Sequence, residues 1–390
     1  MRTRRYALVA GGGTGGHLVP ALAVARALGE GLGPDAVELV GARHGLDAEL
    51  LAGEGMPVTL LPGRGIVRRL DARSAAANVG ALLGLVAAVV GALVVVLRRR
   101  PSVVVAMGGY ACVPTALAAA VLGIPVVLVN VDAVPGAANR LVSRFARAAA
   151  VAFEGTALPR SVVTGAPVRG AIVAGAHPDA GARSAAREAL GLPRDRLVVA
   201  VVGGSLGSRR LNEAVMALAE LWRDRSDVAL YHVVGRRDRA WAAQAAAALA
   251  GVDRDGVCYI QVPYEERMAL FYQAADIVVA RAGAITVAEL AVVGVASILV
   301  PLPGAPGDHQ SANARVLERA GGAVVVVDAQ CDAPRLAREI DALASPPGRL
   351  AAMGAAAGAV GRPDAVAAVV GLARAHARAP RRKGHSARAA

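Results

Sequence analysis

The sequence predicts an α/β protein of two Rossmann-like, doubly wound parallel-sheet domains that face each other across a cleft. Short apolar segments alternate with helical ones along most of the chain, a pattern typical of a parallel sheet covered on both faces. The order strand, glycine-rich loop, helix occurs twice, with the loops at residues 11–16 and 203–207. The length of 390 residues fits two domains of ordinary size.

The strands of the first half are predicted where apolar residues follow one another without interruption. They are residues 6–10, 36–40, 58–61, 103–107, 126–130 and 148–153. Helical segments separate most of them, and the first glycine loop leads into a helix that runs through Leu28. Because ligands of such open sheets bind at the carboxyl ends of the strands, we expect the functional residues there.

The pattern restarts in the second half, where an apolar strand is followed by the second glycine loop and a helix. The strands predicted here are residues 197–202, 229–234, 258–261, 277–280, 297–300 and 323–327. We therefore predict domains at residues 1–164 and 193–375, joined by a linker region at 165–192 that is rich in Gly, Ala, Pro and Arg. The basic tail, residues 376–390, is predicted to be disordered.

The chain is strongly basic and poor in aromatic residues, with a formal net charge of +13 and 3% aromatic residues. Its 55% hydrophobic and 19% charged residues argue against disorder and favour membrane contact. Basic clusters at residues 98–100 and at the C-terminus suit anionic partners such as phosphates or acidic lipid headgroups. No nucleic-acid partner is expected, because the chain has no recognisable binding motif and few aromatic residues for base stacking.

Residues 79–97 form an uncharged apolar run that is followed directly by Arg98, Arg99 and Arg100. The run is long enough for a transmembrane helix; a helix that lies on or dips into a membrane face and an ordinary packed helix are the alternatives. Much of the run is Ala and Gly, which transfer weakly into lipid, and the flanking segments look like parts of one domain. We therefore favour a helix at the membrane surface, with its arginines on anionic headgroups.

The sequence shows no recognisable metal site or disulfide framework. Its three cysteines, Cys112, Cys258 and Cys331, lie far apart without CxxC spacing. Asp253 and Asp255 form a DxD pattern in a polar turn, but the histidines show no ligand spacing, and we predict no metal. The apolar run near the N-terminus is too short for a signal peptide, so a reducing cytoplasm is expected.

Both glycine loops are candidate phosphate sites, because a loop between a strand and a helix presents backbone N–H groups at the helix N-terminus. Neither is a Walker A loop, since no Gly-Lys-Ser/Thr follows. Neither has a clean GxGxxG with an acidic residue about 20 positions on, which disfavours a dehydrogenase. His17 closes the first loop and is either structural or a base that accepts a proton from an attacking hydroxyl.

Polar residues in the second half allow a structural and a functional interpretation. Thr286 and Glu289 fit a capping box, with Thr at the N-cap and Glu at N3. Alternatively, Glu289 accepts hydrogen bonds from a ribose diol. Gln310 and Asn313 are amides on a loop or helix start after a strand, and amides suit sugar hydroxyls because they both donate and accept hydrogen bonds.

Several motifs together resemble the MurG family, the peripheral membrane glycosyltransferases of the GT-B fold that add N-acetylglucosamine to lipid I and give lipid II for peptidoglycan. They keep the family's order and spacing from near the N-terminus to about Val327. The matching segments are GGGTGGHLVPALAVA (11–25), MGGYACVPTALAA (107–119), VPGAANR (134–140), TGAPVR (164–169), GGSLGSRRLN (203–212), ADIVVARAGAITVAEL (275–290) and DHQSANA (308–314). The first and the last two are specific in combination.

The resemblance implies an inverting hexosyltransferase. It would move N-acetylglucosamine from UDP-N-acetylglucosamine to the MurNAc 4-hydroxyl of undecaprenyl-diphospho-MurNAc-pentapeptide, a step of peptidoglycan synthesis that serves cell wall biogenesis, cell shape and cell division. The implied partners are UDP-N-acetylglucosamine, a polyprenyl-diphosphate-linked acceptor and an anionic membrane surface. The implied location is peripheral, on the cytoplasmic face of the plasma membrane. No cofactor is implied, and the oligomeric state stays open.

The resemblance also implies a role for each matching residue, with the acceptor and membrane on the N-terminal domain and the UDP-sugar on the C-terminal one. Those implied on the acceptor side are Thr14, Gly15 and Gly16 near the donor sugar and phosphates, His17 near the reacting hydroxyl, and Tyr110 in the acceptor region. Those implied for the donor are Arg169 and Ser205 at the diphosphate, Tyr264, Glu265 and Met268 at the uracil, Ala284, Ile285, Thr286 and Glu289 at the nucleoside and its ribose, and Gln310 at the sugar hydroxyls, with Asn313 as a second amide.

The expected chemistry is a single displacement, in which the acceptor hydroxyl attacks the anomeric carbon while UDP leaves. His17 or Asp132 would be the base. Arg169, the loop around Ser205 and the helix N-termini would stabilise the charge on the leaving diphosphate and so replace a metal.

The chain departs from the family pattern mainly on the acceptor side. Before VPG the family usually reads His-Glu-Gln-Asn, whereas residues 129–132 read Val-Asn-Val-Asp, which exchanges an amide, Asn130, with an acidic residue, Asp132. Leu206 replaces the usual Gln, and Gly304 a common His. A relative with a different lipid or specialised-metabolite acceptor and an inactive membrane-bound UDP-sugar-binding protein are therefore alternatives. A UDP-sugar 2-epimerase is disfavoured by the apolar run and by DHQSANA.

Overall fold

The structure, a computed structural model, describes residues 5–12, 15–33, 35–43, 55–62, 72–247 and 256–378. These residues form two fully parallel sheets, one of seven strands from the first half of the chain and one of six strands from the second. The fold class predicted from the sequence, two doubly wound parallel-sheet domains, is confirmed.

The first sheet has the strand order β3-β2-β1-β4-β5-β6-β7. Its strands are β1 (Ala7–Gly12), β2 (Val37–Ala42), β3 (Val58–Leu61), β4 (Val103–Gly109), β5 (Val126–Asn130), β6 (Ala148–Val151) and β7 (Ser161–Val163). The helices between them are α1 (Gly15–Gly29), α2 (Ala72–Arg99), α3 (Cys112–Val121) and α4 (Ala137–Ser143). The strand order reverses between β1 and β4, so a ligand crevice is expected at their carboxyl ends.

The second sheet repeats this arrangement in the order β10-β9-β8-β11-β12-β13. Its strands are β8 (Leu197–Val202), β9 (Val228–Val233), β10 (Cys258–Val262), β11 (Ile277–Ala280), β12 (Ala296–Leu299) and β13 (Ala323–Val325). The remaining helices are α5 (Gly170–Ala174), α6 (Ala180–Ala189), α7 (Arg209–Leu221), α8 (Arg239–Ala247), α9 (Met268–Ala274), α10 (Ala284–Val293), α11 (His309–Ala320), α12 (Ala333–Ala344), α13 (Arg349–Val360) and α14 (Ala365–His376).

The central strands are apolar throughout because both of their faces are buried. In β1, Ala7 and Val9 belong to one core cluster, while Leu8 and Ala10 belong to the cluster on the other face of the sheet. Alternate side chains of a strand point to opposite faces, so an uninterrupted apolar segment serves two cores. This periodicity explains why the predicted strands agree with the observed ones to within a few residues.

The short edge strand β7 was not predicted, because its two valines, Val162 and Val163, form too short an apolar run to indicate a strand, and all three of its residues are exposed. The predicted linker region contains α5 and α6. The last helix, α14, follows the second sheet in the chain but packs on the first, against α1, β4 and β5. The domain boundaries at residues 164 and 193 stay predictions.

The apolar run at 79–97 lies within α2. From residue 84 on, where the side chains are described, Ala88, Ala92 and Val96 are buried in the core of the first sheet. The opposite side of the helix exposes an apolar stripe of Val86, Val90, Val94 and Leu97, each at least 39% exposed. One side of α2 is therefore packed, and the other presents aliphatic side chains to the surroundings.

Among the described residues, Arg349–His376 is the segment with the length and apolar composition of a membrane span. This segment is not one continuous helix. It comprises α13 and α14, which are separated by residues 361–364, and these helices pack against α11 and the two sheets.

Candidate active site

The carboxyl ends of the two sheets approach each other at a direct contact between the halves of the chain. Asp132 and Ala133 follow β5 of the first sheet, and Asn313 lies in α11 beside the second. The Asn313 Nδ2 atom donates to Asp132 Oδ1 over 3.0 Å, and the Ala133 N–H donates to Asn313 Oδ1 over 2.8 Å. Asn313 is fully buried and also donates to the Ala282 carbonyl oxygen. These bonds, here called the Asp132–Asn313 clasp, mark the floor of the cleft.

The first glycine loop leaves β1 where β1 and β4 are in backbone contact. Gly109 has a φ of 77°, and a Cβ atom there would overlap the Gly12 carbonyl oxygen. A Cβ at Gly11 would lie 2.9 Å from the Met107 Cβ. Glycine is therefore required at positions 11 and 109, where β1 and β4 approach each other closely. Of the predicted residues, Gly15 and Gly16 open α1, and Thr14 lies outside the described residues.

His17 lies in the first turn of α1, over Gly108 at the end of β4. A Cβ at Gly108 would lie 2.8 Å from the His17 Nε2 and 3.3 Å from the Asn139 Oδ1. The imidazole of His17 and the amide of Asn139 therefore both lie next to Gly108. Asn139 donates to Asn130 Oδ1 over 2.9 Å, and Asn130 Nδ2 donates to the Asp132 carbonyl oxygen over 2.6 Å. A chain of amides thus connects the surroundings of His17 to the Asp132–Asn313 clasp.

Asn130, Asn139 and Asp132 therefore lie together. The sequence analysis named Asn130 and Asp132 but not Asn139, and their role on the acceptor side stays a prediction. Asn130 is buried and its amide is used within the fold. Tyr110 follows β4 on the same side, and its hydroxyl oxygen is buried without a hydrogen-bond partner among the described residues. Burial raises the pKa of this hydroxyl, so it stays a neutral donor.

Glu289 is buried on α10 and accepts three hydrogen bonds from two residues. Arg169 donates to its Oε1 through Nη2 at 3.0 Å and through Nε at 3.2 Å. The Tyr272 hydroxyl donates to its Oε2 over 2.8 Å. Burial raises the pKa of Glu289 above its ordinary value, and the arginine and the tyrosine oppose this shift. Two residues predicted at the donor site, 120 positions apart, thus form one ion pair.

The capping box predicted from Thr286 and Glu289 is wrong. The N-cap of α10 is Gly283, without a side-chain capping bond, and Ala284, Ile285 and Thr286 form the first turn. The helix begins one turn earlier than the box requires, because Gly283 adopts the extended backbone of an N-cap. Glu289 is thereby left inside the helix, free of any capping role and directed at Arg169.

The second glycine loop is held by a buried arginine that the sequence analysis did not single out. Ser205 in the loop is exposed, while Ser208 caps α7. Arg281 donates to Ser208 Oγ from Nη2 over 2.6 Å and from Nε over 3.0 Å, and its Nη1 lies 2.6 Å from Asp328 Oδ1. Its position directly after β11, inside a matched motif, was the available signal.

The predicted uracil segment is anchored at Glu265. This buried carboxylate accepts from the Tyr231 hydroxyl at 2.5 Å and from the Arg267 N–H at 2.7 Å. Burial pushes the pKa of Glu265 upward, but these hydrogen bonds outweigh it and hold the pKa below its ordinary value. The ring of Tyr264 stacks under the Arg236 guanidinium at 4.3 Å, and Met268 opens α9. The hydrogen bonds of Glu265 to Tyr231 and Arg267 therefore fix the backbone of this segment against β9.

Gln310 lies in the first turn of α11, three residues before Asn313. Its Oε1 accepts from the Leu302 N–H over 2.9 Å, which fixes the amide and leaves its NH₂ group as a donor. Within the described ranges, no group of three or more His, Cys, Asp and Glu side chains could hold a metal ion. The DxD pattern of Asp253 and Asp255 lies outside those ranges.

Comparison with known proteins agrees with this geometry. The family model for the glycosyltransferase family 28 N-terminal domain matches residues 7–151, and that for the C-terminal domain matches residues 198–369. A UDP-N-acetylglucosamine–N-acetylmuramyl-(pentapeptide) pyrophosphoryl-undecaprenol N-acetylglucosamine transferase from Desulforudis audaxviator is 37% identical over 372 residues, which is 94% of this chain and 96% of the relative. This chain belongs to the MurG family of glycosyltransferases.

Solved structures extend the comparison. The chain resembles Acinetobacter baumannii MurG with a TM-score of 0.73 and 28% identity, over 95% of this chain and 99% of that one. This match supports the GT-B arrangement of the two sheets. A UDP-N-acetylglucosamine 2-epimerase from Neisseria meningitidis, solved with UDP-N-acetylglucosamine, matches with a TM-score of 0.63 but only 14% identity, over 94% of this chain and 98% of that one. The likeness to the epimerase shows a shared fold alone.

Proposed function

We propose that this glycosyltransferase moves N-acetylglucosamine from UDP-N-acetylglucosamine to the MurNAc 4-hydroxyl of undecaprenyl-diphospho-MurNAc-pentapeptide, with inversion at the anomeric carbon. One observation carries the proposal. The first glycine loop with His17 lies at the first sheet, and α10 with Glu289 lies at the second. The carboxyl ends of the two sheets are joined by the Asp132–Asn313 clasp. A donor held on the second sheet can thus meet a hydroxyl held on the first.

The donor site is proposed around Glu289 and Arg169. The Glu289 carboxylate has about four acceptor sites and can accept hydrogen bonds from the two ribose hydroxyls once Arg169 turns away, while the Tyr272 hydroxyl keeps it oriented. Arg169 is 36% exposed and lies at the start of α5, so its guanidinium can leave Glu289 for the diphosphate. The N-terminus of α10 and the loop around Ser205 add backbone N–H groups for the same charge.

The displacement is proposed to use His17 as the base. The acceptor oxygen attacks the anomeric carbon, the bond from that carbon to the diphosphate oxygen breaks, and UDP leaves with the electron pair. The acceptor proton passes to a ring nitrogen of His17. Arg169 and the helix N-termini stabilise the negative charge on the departing diphosphate. Asp132 is the second candidate base, but one of its carboxylate oxygens is used by Asn313.

The test is a UDP-release assay with UDP-N-acetylglucosamine, with and without a lipid I analogue, for the wild type, His17→Ala and Arg169→Ala. Each substitution should lower kcat by about 100-fold or more, since general-base and charge-stabilising groups contribute on that scale. Near-wild-type turnover of either variant would remove that residue from the mechanism. Binding of the nucleotide sugar without turnover on any polyprenyl acceptor would identify an inactive binding protein instead.

The exchange of amide and acid at Asn130 and Asp132 favours a second candidate, a transferase of the same family with a different lipid or specialised-metabolite acceptor. The donor half keeps the family pattern except at Leu206 and Gly304, whereas Asn130 and Asp132 lie on the acceptor side. The same assay separates the candidates. UDP release with another hydroxylated acceptor but none with the lipid I analogue would establish the second.

We also propose that the protein binds the cytoplasmic face of the plasma membrane peripherally through the apolar stripe of α2. The stripe is followed by Arg98 and Arg100, both exposed, which suit anionic headgroups. Val90→Asp should weaken sedimentation with phosphatidylglycerol vesicles, while Leu221→Asp should leave it unchanged. Both side chains are 55% exposed in the free protein, and Leu221 lies in the other half of the chain. Equal losses would rule out a specific role for the stripe.

A further inference from the structure

A cavity of about 490 Å³ opens at the amino ends of β11 and β12, on the edge of the second sheet away from the candidate active site. We propose that it is a second small-molecule site, which binds a monocarboxylate with an apolar body and is coupled to the donor site through Tyr272. The coupling rests on the proposed function, because it assumes that the nucleotide sugar binds at Glu289. Binding in the cavity does not depend on that assumption.

Four segments that lie far apart in the sequence enclose the cavity. They are the residues before α6 with α6 itself, the junction of α9 and β11, the end of α10 with the start of β12, and α13. The contact between α13 and the end of α10 is tight, since a Cβ at Gly354 would overlap the Gly294 carbonyl oxygen. The cavity is thus formed by packed elements of the fold and not by a single surface loop.

Arg183 lines the cavity and keeps hydrogen-bond donors for a ligand. Its Nη1 donates to the Ala275 carbonyl oxygen over 2.8 Å and to Asp276 Oδ1 over 3.2 Å, which holds the side chain in place. Its Nε and Nη2 atoms have no hydrogen-bond partner among the residues that the structure describes, and the side chain is 35% exposed. The N–H groups of Nε and Nη2 lie side by side on one edge of a guanidinium, where they match the two oxygens of a carboxylate.

The carboxylate of Asp276 does not neutralise this site. Its Oδ2 accepts from Arg187 Nη2 over 2.7 Å and from the Val198 N–H over 2.8 Å, so both of its oxygens are in use. Arg183 and Arg187 thus share one carboxylate, and the group keeps one net positive charge. Because Arg187 uses its other donors on three backbone carbonyl oxygens, that charge is presented to a ligand at Arg183.

The rest of the lining favours a single charge on an apolar body. Val293, Val295 and Leu350 supply aliphatic side chains, and much of the remaining wall is Ala and Gly. His177 packs on Gly294, the C-cap of α10, and adds a ring N–H donor. The partial negative charge of this helix C-terminus opposes a second negative charge on the ligand. A phosphate monoester, which carries about two charges at neutral pH, is therefore disfavoured.

Tyr272 connects the cavity to the candidate donor site. Its buried ring lines the cavity, and its hydroxyl donates to Glu289 Oε2 over 2.8 Å. A second connection is α10 itself, because Val293 at its end lines the cavity and Glu289 lies one turn before. A ligand against Tyr272 and Val293 restricts both side chains, so it should hold the Glu289 carboxylate in place for the nucleotide sugar. Since linkage is reciprocal, a bound nucleotide should also tighten binding in the cavity.

The first arm of the test measures binding of para-fluorobenzoate to the full chain by fluorine NMR, with UDP in excess so that the cleft does not contribute. Arg183→Gln should weaken the affinity by about tenfold or more, the loss expected for a charged hydrogen-bonding partner. The matched control is Arg338→Gln, which removes the same charge from an exposed position on α12. Para-fluorobenzyl alcohol and para-fluorophenyl phosphate, which carry a neutral group and a phosphate in place of the carboxylate, should both bind more weakly.

A second pair of variants tests the site without removing a contact of the fold. Ala355→Glu places a negative charge at an exposed position of α13 that lines the cavity, and it should weaken the binding of para-fluorobenzoate by about tenfold or more. Ala359→Glu adds the same side chain at an exposed position of the same helix that does not line the cavity, and it should leave the affinity unchanged. Unfolding midpoints without ligand verify that each variant is folded.

The second arm measures the affinity for UDP by calorimetry, with and without saturating para-fluorobenzoate. The wild type should bind UDP about fivefold more tightly in its presence, a coupling at the lower end of the usual allosteric range. Tyr272→Phe keeps the ring in the wall but removes the hydrogen bond to Glu289. This variant should therefore still bind para-fluorobenzoate and lose most of the coupling.

The inference is overturned if para-fluorobenzoate shows no saturable binding, or if Arg183→Gln and Ala355→Glu lose no more affinity than their controls. It is also overturned if the phosphate probe binds as tightly as the carboxylate, or if the affinity for UDP is the same with and without para-fluorobenzoate. Absence of UDP binding under both conditions would instead count against the proposed donor site, and the para-fluorobenzoate titrations would then decide the cavity on their own.

Discussion

The Glu289 carboxylate forms an ion pair with Arg169 and so connects the candidate donor site to the predicted linker region. Glu289→Gln keeps the shape of the side chain but removes the charge that Arg169 pairs with. We expect the KM for UDP-N-acetylglucosamine to rise about tenfold, as an interaction with a charged group is lost. The free energy of unfolding should change little, because a buried charge is removed together with its burial penalty and Arg169, which is 36% exposed, keeps its contact with solvent.

The control for Glu289 is Tyr272→Phe, which removes a single neutral donor from the same carboxylate. Its KM should rise by no more than about threefold, on the lower scale of an ordinary hydrogen bond. Burial raises the pKa of Glu289, so its protonation on acidification should raise the KM of the wild type but not of Glu289→Gln. A flat KM in the wild type over the acidic range would contradict this assignment.

His232 is a buried histidine that should make stability depend on pH. Its ring lies between the Asn212 Oδ1 at 3.0 Å and the Tyr259 hydroxyl at 2.9 Å, and burial lowers its pKa to about 3. The unfolded chain binds this proton near the ordinary pKa of 6.5. Stability from this group is therefore complete above pH 6.5 and falls as the pH drops towards 3.

The expected loss at His232 between pH 8 and pH 5 is about 2 kcal/mol, by linkage at about 1.4 kcal/mol per pH unit below the unfolded pKa. Urea unfolding at both pH values measures it. His232→Gln cannot take up the proton but keeps a donor towards Asn212, so it should show a smaller loss. Equal losses for wild type and variant would mean that His232 is not the source.

At the scale of elements, the close approach of the parallel strands β1 and β4 at their carboxyl ends depends on the absence of a side chain at Gly109. Gly109→Ala puts a Cβ into the Gly12 carbonyl oxygen and forces a φ of 77° on an L-residue. We expect a loss of more than about 2 kcal/mol in the free energy of unfolding, since the left-handed region alone costs about 1–2 kcal/mol. Transferase activity should fall with it, because the loop before His17 is displaced.

Gly371→Ala in α14 is the matched control for Gly109→Ala. A Cβ at Gly371 meets nothing within 4 Å, and the residue lies inside a helix. Alanine is favoured over glycine in helix interiors, so a gain of about 0.4–1 kcal/mol is expected. Denaturant titration of both variants measures the difference. A neutral Gly109→Ala would show that β1 and β4 can separate without loss.

Elements were predictable from the sequence wherever burial on two faces imposes an apolar run, as in β8 and β11, whose predicted and observed bounds coincide. Local sequence patterns were insufficient to predict features that depend on the three-dimensional structure, such as where a helix begins and which side chains pair. The capping box failed because Gly283 starts α10 a turn earlier. The candidate site residues were predicted one by one, but the pairing of Arg169 with Glu289 and of Asp132 with Asn313 depends on how the two halves meet.

In the part of the molecule that the structure describes, a group of hydrogen bonds and a returning helix are among the connections between the halves. The Asp132–Asn313 clasp joins them at the floor of the cleft, and α14 joins them where it packs on β4 and β5. The clasp also locates Gln310, which lies in the first turn of the same helix as Asn313. An exchange of residues on the acceptor side thus bears directly on how the donor half is placed.

The clasp predicts that Asp132 acts as a hydrogen-bond acceptor and not as the base. Asp132→Asn keeps an oxygen for the Asn313 Nδ2 and has the residue usual in the family at this position, so kcat should stay within about threefold of the wild type, the scale of a neutral hydrogen bond. Asp132→Ala removes one hydrogen-bond acceptor of the fully buried Asn313 amide, the one that joins the two halves, and should lower kcat/KM by about tenfold or more. If Asp132 were the base, Asp132→Asn would instead lose about 100-fold or more in kcat, because an amide cannot take up the acceptor proton. The ratio of the two variants therefore decides whether the exchanged acid takes part in the chemistry or holds the two halves in register.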